Sequence, residues 1–176
     1  FIGVGHNVVL KASGDKAIVY KNGERQRIHL DKGRDCLHLV RDILAQRQVV
    51  KVPGLPRFFG GAVGYISYDA VRYWERLPDK ADDDLNFPDI EVGVFDDGIV
   101  FDHRKKQAFY YYLNENRLAE VGRLMKEPND FEPLSYKQPK VNVTKQYFEK
   151  AVENAKEYVA SGDIFQVVLS KRYEFH

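Results

Sequence analysis

The sequence predicts an α+β fold in which antiparallel sheets form a layered sandwich covered by helices. Short strand-like segments alternate with tight-turn signals, of which Asn22-Gly23 is the strongest because both residues tolerate the positive φ angles of a hairpin turn. Three further strand-like segments follow one another within residues 90–113, separated only by turns, and this favours antiparallel pairing. Longer segments at 31–48 and 144–160 carry apolar residues every three or four positions, which predicts helices with one buried face.

The first thirty residues are predicted to form three short strands. The first two span 6–11 and 15–20, with a turn at Ala12-Ser13-Gly14, and the third runs from Glu24 to Leu30 after the Asn22-Gly23 hairpin. Charges alternate along this third strand, which is typical of an exposed face and not of a phosphate site. His6 and His29 have no partner at metal-ligand spacing and are interpreted as structural.

The helix predicted over 31–48 carries the single cysteine, Cys36, on its apolar face. One cysteine forms no internal disulfide and builds no cysteine-based zinc site. We therefore interpret Cys36 as a buried packing residue.

Residues 58–75 combine glycines with aromatic residues. Gly60, Gly61 and Gly64 interrupt an apolar segment that otherwise predicts a buried strand, and such glycines are expected where the strand bends or another backbone approaches closely. About two helical turns should follow, with Asp69 placed to accept from the free backbone amides at the helix start and to pair with Arg72. A glycine-kinked core strand with a capped helix is the first interpretation, and the wall of a ligand site is the alternative.

The middle of the chain shows no metal or nucleic-acid signal. The acidic residues of 77–88 lack the ligand spacing of a calcium loop and predict a solvated turn. Strands are predicted at 90–95 and 98–102, joined at Asp96-Asp97-Gly98, and at 107–113. The last of these is aromatic on both faces, which indicates packing between layers. A helix over 115–126 ends at Pro128, and a linker follows over 129–143.

The last segment is predicted to be a helix followed by a strand. Thr144 is a candidate N-cap, Gly162 suits a left-handed C-cap, and Ile164–Leu169 is an almost entirely apolar strand interrupted by Gln166. A buried amide is costly unless its donor and acceptor are satisfied, so Gln166 is either bonded to neighbouring backbone or part of a site.

Two motifs in order resemble a known family. Residues 60–78, GGAVGYISYDAVRYWERLP, and residues 162–170, GDIFQVVLS, are similar to the large subunit (component I) of anthranilate synthases, which are chorismate-utilising enzymes. The resemblance covers nearly the whole chain but only part of the family protein, so we expect a fragment truncated at both ends. It implies that 1–143, with its linker at 129–143, is an amino-terminal regulatory or scaffold portion, and that 144–176 begins the chorismate-binding portion, incomplete here.

The resemblance also implies an activity. The complete subunit would be a lyase that converts chorismate and ammonia to anthranilate and pyruvate, in tryptophan biosynthesis, with ammonia from a glutamine amidotransferase subunit (component II) and tryptophan as inhibitor. Mg²⁺ would be the cofactor, and no metal ligand is assigned to this chain. Substrate-binding residues are expected beyond His176, and inhibitor-binding residues both before Phe1 and beyond His176. The fragment alone is expected to be inactive.

Gln166 is the one site residue that the resemblance assigns. In the isochorismate- and salicylate-forming relatives the matching position is a lysine thought to activate water. An amide has no usable basic form near neutral pH, so Gln166 is expected to line the nucleophile side of the chorismate pocket and to favour ammonia.

The amino-acid composition argues against a nucleic-acid-binding or membrane-binding protein. With 27 Lys and Arg against 26 Asp and Glu, the net charge of +1 provides no strong field for nucleic acid or an anionic membrane. The absence of a leader or a long apolar run predicts a cytoplasmic protein. Two other functions stay open, aminodeoxychorismate synthase component I and a non-catalytic α+β domain that binds a ligand or protein. An exposed strand edge at 172–176 predicts dimerisation or aggregation.

Overall fold

The computed structural model describes residues 1–31, 33–47, 53–54, 56, 58–127 and 132–175. The chain divides into two compact units, Phe1–Glu127 and Pro128–His176, each described by itself below. In the first unit the elements are β1 Ile2–Gly3, β2 Val8–Ser13, β3 Lys16–Lys21, β4 Glu24–His29, α1 Cys36–Ala45, β5 Gly61–Ile66, a 3-10 helix Tyr68–Tyr73, β6 Ile90–Phe95, β7 Asp97–Asp102, β8 Gln107–Tyr112 and α2 Leu118–Leu124. The second unit contains β9 Lys140–Val141, α3 Lys145–Ala160 and β10 Tyr173–Glu174.

An antiparallel sheet of five strands, in the order β4-β3-β2-β6-β5, dominates the first unit. The predicted hairpin between β3 and β4 is confirmed, since Asn22 and Gly23 both have positive φ, at 52° and 79°. The turn predicted at Ala12-Ser13-Gly14 is wrong by two residues, because β2 continues through Ser13, which pairs with Lys16. Gly14, at φ 55°, begins the turn instead.

One face of this sheet forms the core. Alternate residues of β2, β3 and β6 point into it, as the period of two requires, and the side chains of α1 pack over them. Its buried members are Val8, Leu10, Ala12, Ala17, Val19, Leu30, Cys36, Ala70, Ile90, Val92 and Val94. Cys36 is fully buried, as predicted.

Helix α1 is shorter than the predicted 31–48. It begins at Cys36 because Asp35 accepts a hydrogen bond from the backbone N–H of His38 at 3.1 Å, which fixes the N-cap. Gln46 is the C-cap, and Gln48, where the predicted helix ends, lies outside the described residues.

Strands β6 and β7 belong to different sheets, so the prediction that they pair across Asp96-Asp97-Gly98 is wrong. β7 pairs with β1 and β8 in a three-stranded sheet, and the chain changes sheet at Asp96. Gly98 is not a turn residue. It lies opposite Gly3, and a Cβ there would approach the Ile2 carbonyl oxygen to 2.5 Å. Strand β1 can pair with β7 at this point because glycine has no side chain.

Other predicted elements are present with changed bounds. α2 covers Leu118–Leu124 of the predicted 115–126, and Val121 is buried on its apolar face. Residues 132–139 have no regular structure, but the linker predicted over 129–143 also contains strand β9 at Lys140–Val141, because these residues pair with β10. Residues 128–131, including Pro128, lie outside the described residues. The predicted division of the chain at 143/144 stays a prediction.

The second unit confirms the last helix but not the last strand. Thr144 Oγ1 accepts from Tyr147 N at 3.2 Å, and Gly162 has φ 83°, so both predicted caps of α3 are present. Ile164–Leu169 has no regular structure, and the predicted strand is wrong. A strand needs a neighbouring backbone, and in the described part of this unit the strand pairing is that of β9 with β10.

Candidate functional site

Strand β5 is an edge strand and not the core strand predicted from its sequence. It pairs only with β6 among the described strands, and Val63, Tyr65 and Ile66 are exposed. The close backbone approach predicted from its glycines is confirmed at Gly64, where a Cβ would lie 2.0 Å from the Glu91 carbonyl oxygen. Gly60, at φ 94°, provides the bend before the strand.

The helix after β5 is a 3-10 helix over Tyr68–Tyr73. Ser67 is its N-cap residue, without a side-chain cap bond, so the expectation that Asp69 caps the helix is wrong. The predicted Asp69–Arg72 pair is confirmed, with the Arg72 Nε 3.1 Å from Asp69 Oδ1. Arg72 also donates to the carbonyl oxygens of Leu77 and Pro78, which ties the helix to the following acidic loop.

A polar cluster lies where this helix meets the start of α1. Tyr73 donates to Asp89 Oδ2 at 3.1 Å, and the Trp74 Nε1–H donates to Asp35 Oδ2 at 2.8 Å. Asp35 also forms hydrogen bonds with His38. The same carboxylate therefore caps α1 and binds the Trp74 side chain. The cluster joins the end of the glycine-rich motif to the helix over the sheet.

Burial determines the chemistry of this cluster. Burial raises the pKa of Tyr73, and nearby Cys36 and Asp89 raise it further. Burial also raises the pKa of the Cys36 thiol, so Cys36 is protonated at neutral pH and is not a nucleophile. Burial by itself would raise the pKa of Asp35, but hydrogen bonds from Trp74 and His38 outweigh it and hold the pKa below 3.8. Each of these groups is therefore held in a single protonation state. This is expected of residues with a structural role and not of residues that transfer protons.

Two adjacent carboxylates mark the point where the chain changes sheet. Asp96 accepts from Arg47 Nε at 2.5 Å and from Asn7 Nδ2 at 2.6 Å. Asp97 accepts from Arg117 Nη2 at 2.6 Å and from the Tyr110 hydroxyl at 3.0 Å. Each carboxylate is therefore neutralised by its own arginine, and the pair is structural and not an acid–base dyad.

Sequence reasoning missed these two ion pairs. Asp96 and Asp97 were interpreted as part of a turn, although two carboxylates between apolar strands require cationic partners if they are buried. The sequence therefore indicated that cationic partners were needed. It did not identify Arg47 and Arg117 as those partners, because they lie 49 and 20 residues away.

Gln166 lies in the irregular segment after α3, and its side chain is exposed. The prediction of a buried, bonded amide is therefore wrong for the structure of this chain. The role assigned to Gln166 at a chorismate pocket stays a prediction. The glycine-rich motif and Gln166 lie in separate units.

The described residues provide no evident metal centre. Among them, no group of three or more His, Cys, Asp or Glu side chains is placed to hold an ion. In the acidic loop, Asp83 accepts from Asn86 N at 2.8 Å and so stabilises a turn. None of the helices in the described part of the chain is long and apolar enough to cross a membrane.

Comparison with known proteins places this fold in a family. Residues 5–176 match the sequence profile of the chorismate binding enzymes. The chain belongs to the chorismate-binding enzyme family. This confirms the resemblance noted from residues 60–78 and 162–170.

Several members of the chorismate-binding family align with nearly the whole chain. Anthranilate synthase component 1 of Methanothermobacter thermautotrophicus is 32% identical over 99% of this chain and 35% of its own length. The Acetivibrio thermocellus component 1 is 30% identical over 97% of this chain and 39% of its own length. The crystal structure of anthranilate synthase component I from Streptococcus pneumoniae superposes with a TM-score of 0.68 at 25% identity, over 98% of this chain and 40% of that one. The chain therefore spans little more than a third of the length of these relatives.

Proposed function

We propose that this chain is part of component I of an anthranilate synthase, the aminase subunit that converts chorismate and ammonia to anthranilate and pyruvate. The observation that carries the proposal is the alignment of almost every residue with proteins of that name, together with the shared fold. The names of these relatives favour the anthranilate branch over the aminodeoxychorismate synthase and binding-domain alternatives.

The proposal includes the setting of the complete enzyme. It would be a cytoplasmic lyase of tryptophan biosynthesis, supplied with ammonia by a glutamine amidotransferase subunit and inhibited by tryptophan. Mg²⁺ would be its cofactor. The described residues of this chain do not fit such an ion, since no three potential ligands gather among them. No step of the proposal is therefore assigned to the metal.

The contribution of this chain is a scaffold and one candidate pocket residue. The five-stranded sheet has its own core under α1. The half-buried side chain of Tyr73 and the buried side chains of Cys36 and Asp97 serve packing, hydrogen bonding and ion pairing. Gln166 offers an amide that binds a nucleophile by hydrogen bonds but does not deprotonate it.

A chimeric enzyme tests the assignment. The matching segment of the Methanothermobacter component 1 is replaced by this chain, and anthranilate fluorescence is followed with chorismate, Mg²⁺ and ammonium. We expect the chimera to form anthranilate and the 176-residue chain alone to form none. A folded chimera that binds chorismate without forming anthranilate would remove the assignment, and aminodeoxychorismate as its product would favour that branch.

The Gln166→Lys variant of the chimera tests the role of the amide. A lysine that loses its proton can activate water, so we expect the ammonia-dependent rate to fall by at least about 10-fold and a hydroxylated product to appear by mass spectrometry. Gln138→Lys is the matched control, because Gln138 is equally exposed in the irregular residues 132–139. Unchanged ammonia use in Gln166→Lys, with no water-derived product, would contradict the role.

A further inference from the structure

The chain crosses between the five-stranded and the three-stranded sheet at two places that lie side by side. One crossing connects β1 to β2, and the other connects β6 to β7. Val4 N donates to the Asp97 carbonyl oxygen at 3.2 Å. Asn7 N donates to the Val94 carbonyl oxygen at 3.0 Å, so the two crossings are hydrogen-bonded to each other. We call them together the sheet junction, which consists of residues 4–7 and 94–97.

Arg47 connects the junction to the helix that packs over the five-stranded sheet. It follows α1, and its guanidinium donates to both carboxylate oxygens of Asp96, at 2.5 Å and 3.3 Å. The same guanidinium donates at 2.6 Å to the carbonyl oxygen of Ile43, in the last turn of α1. Asp96 also accepts from the side chain of Asn7 at 2.6 Å, so this ion pair is bonded to both crossings.

Arg117 makes the equivalent connection to the three-stranded sheet. Its guanidinium donates to both carboxylate oxygens of Asp97, at 3.1 Å and 2.6 Å, and to the carbonyl oxygen of Val4. Its backbone N–H donates at 3.0 Å to the hydroxyl of Tyr110, which belongs to β8. This second ion pair is therefore also bonded to both crossings, and it lies at the residue before α2.

The two ion pairs are largely shielded from water. The side chains of Asp96 and Asp97 are 9% and 6% exposed, and those of Arg47 and Arg117 are 15% and 28% exposed. A carboxylate in such surroundings is costly to leave without its cation, and a two-point contact with arginine is a strong form of pairing. Neither pair should therefore separate while the backbone around it stays closed.

The charges of the two carboxylates reach the same buried group. Tyr111 lies opposite Gly98 in the pairing of β7 with β8. Burial raises the pKa of the Tyr111 hydroxyl, and the negative charges of Asp97 and Asp96 both raise it further. Because both charges act at one place, a carboxylate that lost its arginine would also repel its neighbour.

We propose that the sheet junction is a lock that opens as one unit, held closed by Arg47 on one side and by Arg117 on the other. Because each ion pair is bonded to both crossings, the loss of either arginine loosens all the hydrogen bonds of the junction together. The lock fixes the three-stranded sheet against the five-stranded sheet. A change at the end of α1 is thereby transmitted to the start of α2.

Amide hydrogen exchange followed by NMR spectroscopy distinguishes one lock from two separate ion pairs. The reporters are the amides of Val4, which is bonded to the Arg117 pair, and of Asn7, which is bonded to the Arg47 pair. In Arg47→Leu both amides should exchange at least about 10-fold faster, by similar factors, and Arg117→Leu should have the same effect. If the pairs were independent, Arg47→Leu would affect Asn7 alone. Arg117→Leu would then affect Val4 alone, and this pattern would overturn the proposal.

Further measurements separate opening of the lock from a general loss of stability. The amide of Leu10, in the central strand β2, reports unfolding of the whole first unit, and its exchange should speed by a smaller factor than that of the junction amides. Equal factors would show that the junction opens only on complete unfolding and would overturn the proposal. Arg34→Leu removes an exposed ion pair with Asp42 of α1 and should leave the junction amides unchanged. Arg47→Lys keeps the cation without the two-point contact and should reproduce the pattern of Arg47→Leu at about 3-fold, even if the leucine variant does not fold.

Distance measurements between the two sheets test what the lock holds. Spin labels on Lys16→Cys, in β3, and on Gln107→Cys, in β8, occupy exposed positions of the two sheets, while Cys36 is fully buried and should stay unlabelled. Double electron–electron resonance should give a broader distribution of label distances in Arg47→Lys than in the unaltered chain. Arg34→Leu should leave the width of the distribution unchanged. An unchanged width in Arg47→Lys would overturn the role of the lock in fixing the two sheets.

Discussion

Asp97 is a buried charge that the three-stranded sheet holds in place. It begins β7 and accepts hydrogen bonds from Arg117 and Tyr110, while a further Arg117 hydrogen bond reaches the Val4 carbonyl oxygen. The guanidinium thus joins the chain before α2 to Val4, the residue that follows β1. A buried ion pair of this kind contributes little against an apolar replacement of both partners but costs much when one partner is removed.

The Arg117→Leu variant should therefore lose about 3 kcal/mol of unfolding free energy, because Asp97 is left charged and without its cation. Urea denaturation followed by circular dichroism measures this loss. Arg123→Leu is the control, since Arg123 is exposed on α2, and it should change stability by less than about 0.5 kcal/mol. Adding Asp97→Asn to Arg117→Leu should recover part of the loss, and a further loss there would contradict the buried-charge explanation.

The Trp74–Asp35 hydrogen bond predicts a pH dependence. Trp74→Phe removes the Nε1–H donor and should cost about 1 kcal/mol near pH 7. The pKa of Asp35 is lowered in the fold, so its contribution is fully present above the ordinary value of 3.8 and is lost as the pH falls through the lowered pKa. The stability difference between Trp74→Phe and the unaltered chain should therefore shrink below pH 3.8.

Urea denaturation at pH 7 and at successively lower pH values checks this prediction. Tyr68→Phe is the control, because Tyr68 is 82% exposed and its hydroxyl makes no hydrogen bond within the described residues. It should have no effect at any pH. A Trp74→Phe difference that stays constant through the acid range would contradict the assignment of the effect to Asp35 ionisation.

At the scale of elements, β5 can lie close to β6 because Gly64 has no side chain. Gly64→Ala would bring a Cβ within 2.0 Å of the Glu91 carbonyl oxygen and 2.7 Å of Val92 Cα. Both are backbone atoms of the paired strand, so the strands must separate. We expect a loss of about 3 kcal/mol in urea denaturation.

Gly122→Ala is the matched control for that substitution. Gly122 lies within α2, and a Cβ there meets nothing within 4 Å. Alanine should stabilise the helix by up to about 1 kcal/mol. If Gly64→Ala behaves like Gly122→Ala, the close approach of β5 and β6 is not what requires a glycine at position 64.

Elements controlled by local chemistry were predictable from the sequence. Asn22-Gly23 and the caps Thr144 and Gly162 act within a few residues, and the structure has them as predicted. The sheet change at Asp96 was not predictable, because Asp-Asp-Gly is an equally good signal for a hairpin. Whether the chain forms a hairpin or changes sheet there is decided by the pairing of β6 with β2, which is distant in sequence. Strand propensity over Ile164–Leu169 likewise did not specify a neighbouring strand.

At the scale of the whole molecule, the fold class and the family were predictable, whereas the buried polar contacts of the candidate site were not. The antiparallel sheets and the relationship to chorismate-binding enzymes are confirmed. The buried polar groups were missed because each is completed by an arginine or tryptophan remote in sequence, such as Arg47 or Trp74. The period of apolar residues, two in a strand and 3.6 in a helix, identifies the buried face of the element. It does not identify which residue pairs with a buried charge.

The two units should differ in stability against local opening. The first unit has a buried core under α1, whereas α3 of the second unit has no buried residue. We expect amide hydrogen exchange to be slowest in β2 and β6 and much faster in α3, although α3 is the longest helix among the described elements. Protection of α3 equal to that of β2 would contradict this expectation.

The order of strands in the large sheet has a consequence for synthesis on the ribosome. β2 pairs with β3 almost immediately, but its other edge pairs with β6, where Val8 meets Val94. At the translation rates typical of cells, roughly 4–17 s separate the appearance of these two residues. During that interval the nascent chain presents an apolar strand edge with no partner. This is the stage at which a chaperone would be needed and at which slow translation between residues 30 and 90 would favour aggregation over folding.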